Sequence, residues 1–137
     1  MKKYSVFSHT ADIGIKGAGR NLAGLFICLA KALATLLKTE QNKNKPVTAR
    51  IKLSAPDTET LLVAWLNEII YLNSKKRAVF DKFKILEISP GFLKAEIYGK
   101  KIIAGARPPR EIKAATFHKL KILKSAAGFS AKVILDI

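Results

Sequence analysis

The sequence predicts an α+β fold: a single domain over residues 1–137, with two layers in which two amphipathic helices pack on a mostly antiparallel sheet. Two observations carry this prediction. Apolar residues recur at helical spacing in two separate segments, and elsewhere they alternate with polar residues as in strands. The resulting order is strands, helix, strand, helix and a run of strands, in a chain of the size of one domain.

The first segment predicts two short strands followed by a helix. Tyr4 to Phe7 and Ile13 to Lys16 have strand character, so Asp12 falls at a strand boundary. Asn21 is a favourable helix N-cap, and apolar residues follow it at steps of three and four. They are Leu22, Leu25, Phe26, Leu29, Leu33, Leu36 and Leu37.

The second segment predicts a strand after Pro46 and then a helix that begins around Pro56, Asp57 and Thr58. The apolar stripe of this helix is the strongest in the chain. Its members are Leu61, Leu62, Trp65, Leu66, Ile69 and Leu72.

The last part of the chain predicts strands. A hairpin turns at Pro90 and Gly91, and the segment from Ala104 to Arg110 is predicted to be irregular. Two final strands follow, Glu111 to Lys124 and Phe129 to Ile137. If Lys124 pairs with Phe129, Asp136 lies opposite Phe117, and Lys113 lies about 13 Å farther along the strand.

The charge is strongly positive, with 25 Lys and Arg against 10 Asp and Glu and a formal net charge of +15. Such a charge attracts polyanions, above all RNA, although a lysine-rich proteome explains it equally well. The basic residues are scattered, which favours a diffuse field over a dedicated groove. Without an apolar run of about 18 residues the chain is expected to lack a membrane span, and its single cysteine, Cys28, fits a core position in a cytoplasmic protein.

Acidic residues stand out against this background at both ends of the chain. Asp12, Asp136 and the α-carboxylate of Ile137 offer hard oxygen ligands, which suit Ca²⁺ or Mg²⁺ rather than zinc. They fill only part of a coordination shell, so the site would be open. In the structural alternative Asp12 makes an Asx-turn or caps a strand end, and Asp136 pairs with a lysine.

Other polar residues give weaker signals. His9 and His118 beside strands fit hydrogen-bonded packing as well as catalysis, and Glu68 lies at the flank of the second helix. The sequence has no Ser/His/Asp set, glycine-rich phosphate loop or Cys/His cluster, so an autonomous enzyme is not predicted.

Four segments together resemble the archease family. They are His9 to Ile15, Leu61 to Tyr71, Ile112 to His118 and Val133 to Ile137, spread in order over the whole chain. The resemblance implies an archease-like fold and a cytoplasmic accessory protein that activates the tRNA-splicing RNA ligase. That ligase joins 3′-phosphate or 2′,3′-cyclic phosphate ends to 5′-hydroxyls, and archeases promote its guanylylation by GTP and its multiple turnover.

By this resemblance Asp12, Asp136 and Ile137 are the metal-binding set, with Ca²⁺ as the usual ion and Mg²⁺ or Mn²⁺ as alternatives. Lys113 matches a residue needed for activation, while His9, Glu68 and His118 match motif positions of supporting character. GTP and the RNA ends would be met through the ligase, with at most weak direct contact to RNA.

A second function remains open: a basic RNA-binding or RNA-chaperone module in which both aspartates are structural. Such a module would bind RNA with a steep salt dependence and would be insensitive to changes at Asp12. The family resemblance implies an acidic chain with carboxylates along the first helix, whereas residues 21–39 contain none.

Overall fold

The computed structural model describes residues 4–8, 12–39, 42–108 and 111–137. Within these ranges the chain forms two helices and eight strands, and every strand pair is antiparallel, which confirms the predicted α+β class. The helices are α1 (Leu22–Leu37) and α2 (Thr58–Lys75). The strands are β1 (Ser5–Ser8), β2 (Asp12–Gly19), β3 (Asn42–Ser54), β4 (Ala78–Ser89), β5 (Phe92–Ile102), β6 (Ala114–Ala115), β7 (Leu123–Ser125) and β8 (Gly128–Asp136).

The strands divide into two sheets, where the sequence suggests one. The first sheet has the order β1–β2–β8–β6, with β7 also paired to β8, and the second has the order β3–β5–β4. One edge of β8 is paired with β2 along its whole length. The short strands β6 and β7 therefore share the other edge of β8, one after the other. Each helix contacts strands of both sheets, so one core serves the whole fold.

Both helices begin where the sequence predicts. The Asn21 side chain accepts a hydrogen bond from the main-chain N–H of Gly24 at 2.8 Å, which caps α1. Asp57 caps α2 in the same way, accepting from the N–H of Thr60 at 2.7 Å. Hydrogen bonds from the Thr60 side chain and main chain lower the pKa of Asp57 below its ordinary value.

The centre of the core is the contact between the two helices. Trp65 of α2 is fully buried, and its indole N–H donates to the main-chain oxygen of Phe26 in α1 at 3.0 Å. Cys28 lies buried in α1, as predicted. No helix in the described part of the chain is long and apolar enough to cross a membrane.

The strand predictions hold for the hairpin and fail for the segment Glu111 to Lys124. The β4–β5 hairpin turns at Pro90 and Gly91, as predicted. Of the predicted irregular segment from Ala104 to Arg110, residues 104–108 contain no helix or strand, and Pro109 and Arg110 lie outside the described residues. The expected single strand is wrong, because only Ala114–Ala115 and Leu123–Ser125 join the ladder. Between them the hydroxyl and N–H of Thr116 both donate to the oxygen of Ile134, and the chain then leaves the sheet.

Gly128, the first residue of β8, is expected to be intolerant of a side chain. Its φ is +126°, and a Cβ atom there would lie 2.2 Å from the main-chain oxygen of Gly19. Gly128→Ala should lower the free energy of unfolding by about 3 kcal/mol, measured by urea denaturation. Gly105→Ala is the matched control, since its φ is +88° but nothing lies within 4 Å of a Cβ; about 1 kcal/mol is expected. Equal losses in both variants would contradict the proposed steric cause.

Candidate functional site

Asp12 and Asp136 are direct partners in the ladder between β2 and β8. Asp12 is the first residue of β2 and Asp136 the last of β8, so the pair lies at one end of the first sheet. Directly opposed residues share a sheet face, with their Cβ atoms about 4.5–5.5 Å apart. The next pair along the ladder, Ile13 with Leu135, is buried in the core. The two carboxylates therefore lie on the outer face of the sheet.

The two carboxylates of this pair differ in exposure. Asp136 is exposed, whereas Asp12 is half-buried and its Oδ1 atom is fully buried. Opposed like charges destabilise a sheet, and no ion pair in the described part of the chain joins Asp136 to a lysine or arginine. The structure thus lends no support to the alternative in which Asp136 is paired with a lysine.

The donor set is compatible with a hard divalent ion. Among the described residues, no group of three or more His, Cys, Asp and Glu side chains could hold a metal ion. Within the described part of the chain, the side-chain ligands of the candidate site are therefore only the carboxylates of Asp12 and Asp136. The half-buried Ile137 follows Asp136 directly. An ion that prefers six to eight oxygen ligands would complete its shell with main-chain oxygens and water.

Lys113 lies next to the aspartate pair, closer than the sequence indicates. Its main-chain N–H donates to the main-chain oxygen of Asp136 at 2.8 Å, and Ala114 is the ladder partner of Asp136. The predicted pairing of Asp136 with Phe117 is wrong by three residues, although the pairing of Lys124 with Phe129 is confirmed. The cause is the excursion of residues 117–122, which leave the ladder after Thr116 and have no ladder partner in β8.

This excursion forms an exposed loop beside the site. Its two ends are fixed: Thr116 is bonded to Ile134, and the N–H of Ile122 donates to the carboxylate of Glu59 at 3.2 Å. Phe117 is 56% exposed, although it is a large apolar side chain. The loop therefore presents an apolar group within a few residues of Lys113.

Asn67 is a site residue that the sequence reasoning missed. Its amide Nδ2 donates to the main-chain oxygen of Ala115 at 3.2 Å, and its Oδ1 accepts from the N–H of Ala115 at 2.7 Å. The side chain thus makes the pair of bonds that a neighbouring strand would make, and it holds β6 against α2. The sequence feature that could have indicated this role is the amide side chain itself, which lies in the mostly apolar segment from Trp65 to Tyr71.

The other predicted site residues are not joined to the aspartates by any contact that the structure describes. Glu68 is half-buried on α2. The pKa of Lys75 is raised above its ordinary value, mainly by a hydrogen bond with Tyr71 and to a smaller extent by the charge of Glu68. His118 is exposed in the loop, where its main-chain N–H donates to the Thr116 hydroxyl at 3.3 Å. His9 lies outside the described residues. The candidate site therefore consists of Asp12, Asp136, Ile137 and Lys113, with Asn67 behind it.

Known proteins resemble this chain over its full length. The model of the Archease protein family matches residues 4–137. The protein archease of Methanosarcina acetivorans is 37% identical over 99% of this chain and 97% of its own length. That of Pyrococcus furiosus is 34% identical, with both chains covered completely.

Two solved structures share the fold. The solution structure of protein 1598 of Methanobacterium thermoautotrophicum is 30% identical, covers both chains completely and superposes with a TM-score of 0.74. The crystal structure of an archease of Thermotoga maritima, named there as a possible chaperone, is 21% identical, has a TM-score of 0.68 and covers 96% of this chain and 94% of its own. At that identity it is informative about the fold alone. The family match over residues 4–137, together with relatives above 30% identity along the whole chain, means that this protein belongs to the archease family.

Proposed function

We propose that this protein is an accessory factor that activates a GTP-dependent tRNA-splicing RNA ligase, promoting guanylylation of the ligase and its multiple turnover. The observation that carries the proposal is the opposed pair Asp12 and Asp136, with Lys113 bonded beside it at the end of a sheet. A pair of carboxylates and a lysine at the end of a sheet suits a factor that completes the site of another protein.

In this proposal Asp12, Asp136 and the carboxylate of Ile137 hold a divalent cation, Ca²⁺ in the first instance, with Mg²⁺ and Mn²⁺ as alternatives. The half-buried Asp12 would provide the rigid part of the site, because its Oδ1 atom is fully buried. The exposed Asp136 leaves one side open to a partner. A bound ion would supply positive charge to the phosphate groups of GTP or of an RNA end in the ligase.

Lys113 would supply the second positive charge. Its side chain is exposed, while its main chain is held by Asp136 and by the adjoining bonds between Ala115 and Asn67. An ammonium group on an anchored main chain can meet a phosphate with less loss of entropy than one on a mobile loop. The exposed Phe117 in the neighbouring loop would provide apolar contact with the ligase.

Multiple-turnover ligation of 2′,3′-cyclic phosphate RNA by a cognate ligase with GTP tests this proposal. The native chain should stimulate the reaction, and Lys113→Ala should reduce the stimulation about tenfold or more, the effect of losing a charge-assisted contact to phosphate. Lys121→Ala is the matched control, because Lys121 is an exposed lysine in the same region. Absence of stimulation by the native chain, or equal loss in both variants, would refute the proposal.

The second candidate function is an RNA-binding module in which the aspartates are structural. It is favoured by the net charge of +15. If this were the main function, the ligation assay would show no stimulation, and RNA binding would not respond to changes at Asp12.

A further inference from the structure

The outer face of the β3–β5–β4 sheet carries a concentration of positive charge. Along β5, Leu93, Ala95 and Ile97 are buried, so the alternating residues between and beyond them face outward. The ladder pairs place the outward residues of β3 and β4 beside them. The basic side chains of this face are Arg50, Lys52, Lys82, Lys84 and Lys94, and its carboxylates are Glu87 and Glu96. We call this surface the basic face. Lys100 and the exposed Asp81 line a pocket beside α1 instead.

Charges on the basic face are only partly compensated. Glu96 forms an ion pair with Arg50 at 3.5 Å, and Glu87 is the ladder partner of Lys94. Lys94 is also directly opposite Lys52 on its other side. Opposed like charges are unfavourable in a sheet, and a bound polyanion would remove that cost.

The basic face also contains a groove and an aromatic ring. A groove of about 400 Å³ lies over β5 and is lined by Arg50, Lys52, Leu86, Lys94 and Glu96, among others. Tyr98 stands beside it on the same face; it is half-buried and its hydroxyl contacts Glu96 at 3.3 Å. Proteins bind single-stranded nucleic acid with positively charged grooves that follow the phosphates and aromatic rings on which bases stack. The basic face contains both elements.

We propose that the basic face binds the sugar-phosphate backbone of single-stranded RNA, with Tyr98 as a stacking position. This inference goes beyond the proposed function and does not depend on it, because the face belongs to the second sheet whereas Asp12 and Asp136 belong to the first. An acidic protein segment is the other ligand that positive charge would attract. RNA is favoured because Tyr98 offers a base a stacking surface next to the lysines.

Fluorescence anisotropy with a labelled oligouridine of roughly 20 nucleotides tests the proposal on the whole protein. Each phosphate contact on a single strand contributes about 0.7 to the salt slope, which is the fall of log affinity with log salt concentration. The double variant Lys52→Gln/Lys94→Gln removes two contacts and should therefore weaken binding by about 25-fold at about 0.1 M salt. The magnitude of that slope should fall by about 1.4. Thermal melting should show little change in stability, since the variant removes the unfavourable pair of Lys52 with Lys94 and the favourable pair of Glu87 with Lys94, and the two effects offset each other.

The matched control is Lys16→Gln/Lys124→Gln, which removes the same charge from exposed positions of the first sheet. Its salt slope should stay at the native value. An equal loss of affinity in both double variants, or no RNA binding by the native chain, would overturn the proposal and leave only a diffuse positive field.

Tyr98→Leu separates RNA from an acidic protein as the ligand. RNA affinity should fall by about fivefold or more, the effect of losing one stacked base, whereas affinity for a labelled oligoglutamate should not change. If oligoglutamate binds as tightly as oligouridine and Tyr98→Leu leaves both affinities unchanged, the face is a docking surface for an acidic protein and the RNA proposal is wrong.

Discussion

Replacing Asp136 by asparagine is expected to abolish the stabilisation of the fold by Ca²⁺. For the native chain, Ca²⁺ at about 100 times its dissociation constant should add about 2.7 kcal/mol to the free energy of unfolding. In a domain of this size that gain raises the melting temperature by roughly 8 °C. Asp136→Asn removes one of the two opposed carboxylates, so its melting temperature should not respond to the ion. Differential scanning calorimetry with and without added Ca²⁺ measures the difference.

The same experiment carries an internal check on the cause. In the presence of a chelator, Asp136→Asn should be more stable than the native chain by about 0.2–1 kcal/mol, because the like-charge pair with Asp12 is gone. Asp81→Asn is the matched control, since it removes an exposed carboxylate from the second sheet. A Ca²⁺ response that is retained in Asp136→Asn, or lost equally in Asp81→Asn, would contradict the proposed metal site.

The second large effect is expected for Asn67→Ala. This change removes both hydrogen bonds to Ala115, whose main chain is then left buried and unpaired on that side. The loss of two hydrogen bonds, together with the desolvation penalty of the main-chain groups left unpaired, should lower the free energy of unfolding by about 2–3 kcal/mol, measured by urea denaturation. Because β6 is only two residues long, Lys113 should lose its fixed position, and stimulation of the ligase should fall with it.

Asn73→Ala distinguishes a local effect on the site from a general loss of stability. Asn73 lies on the same helix, and its amide also donates to a main-chain oxygen, that of Ala78 at 2.8 Å. Its replacement should lower stability by about 1 kcal/mol without changing ligase stimulation, because Ala78 belongs to the second sheet. If Asn67→Ala leaves stimulation at the native level, Asn67 does not position the site.

The helices and the hairpin were predictable because their signals are local. Asn21 and Asp57 cap the helices at the expected positions, and the apolar stripes that follow them are buried. The β4–β5 turn is set by Pro90 and Gly91 within four neighbouring residues. Such features need only the intrinsic preferences of residues near one another, so a single sequence contains them.

The sequence by itself also determined which residue types are available for the site: two aspartates at strand ends and a lysine in the segment before β6. Tertiary structure alone decided that Asp12 and Asp136 face each other, that Lys113 lies beside them, and that Asn67 holds β6. The physical reason is register. Pairing between distant segments depends on how many residues leave the ladder between them. Here the six residues 117–122 leave it, between hydrogen bonds of Thr116 and Glu59 that the local pattern does not reveal.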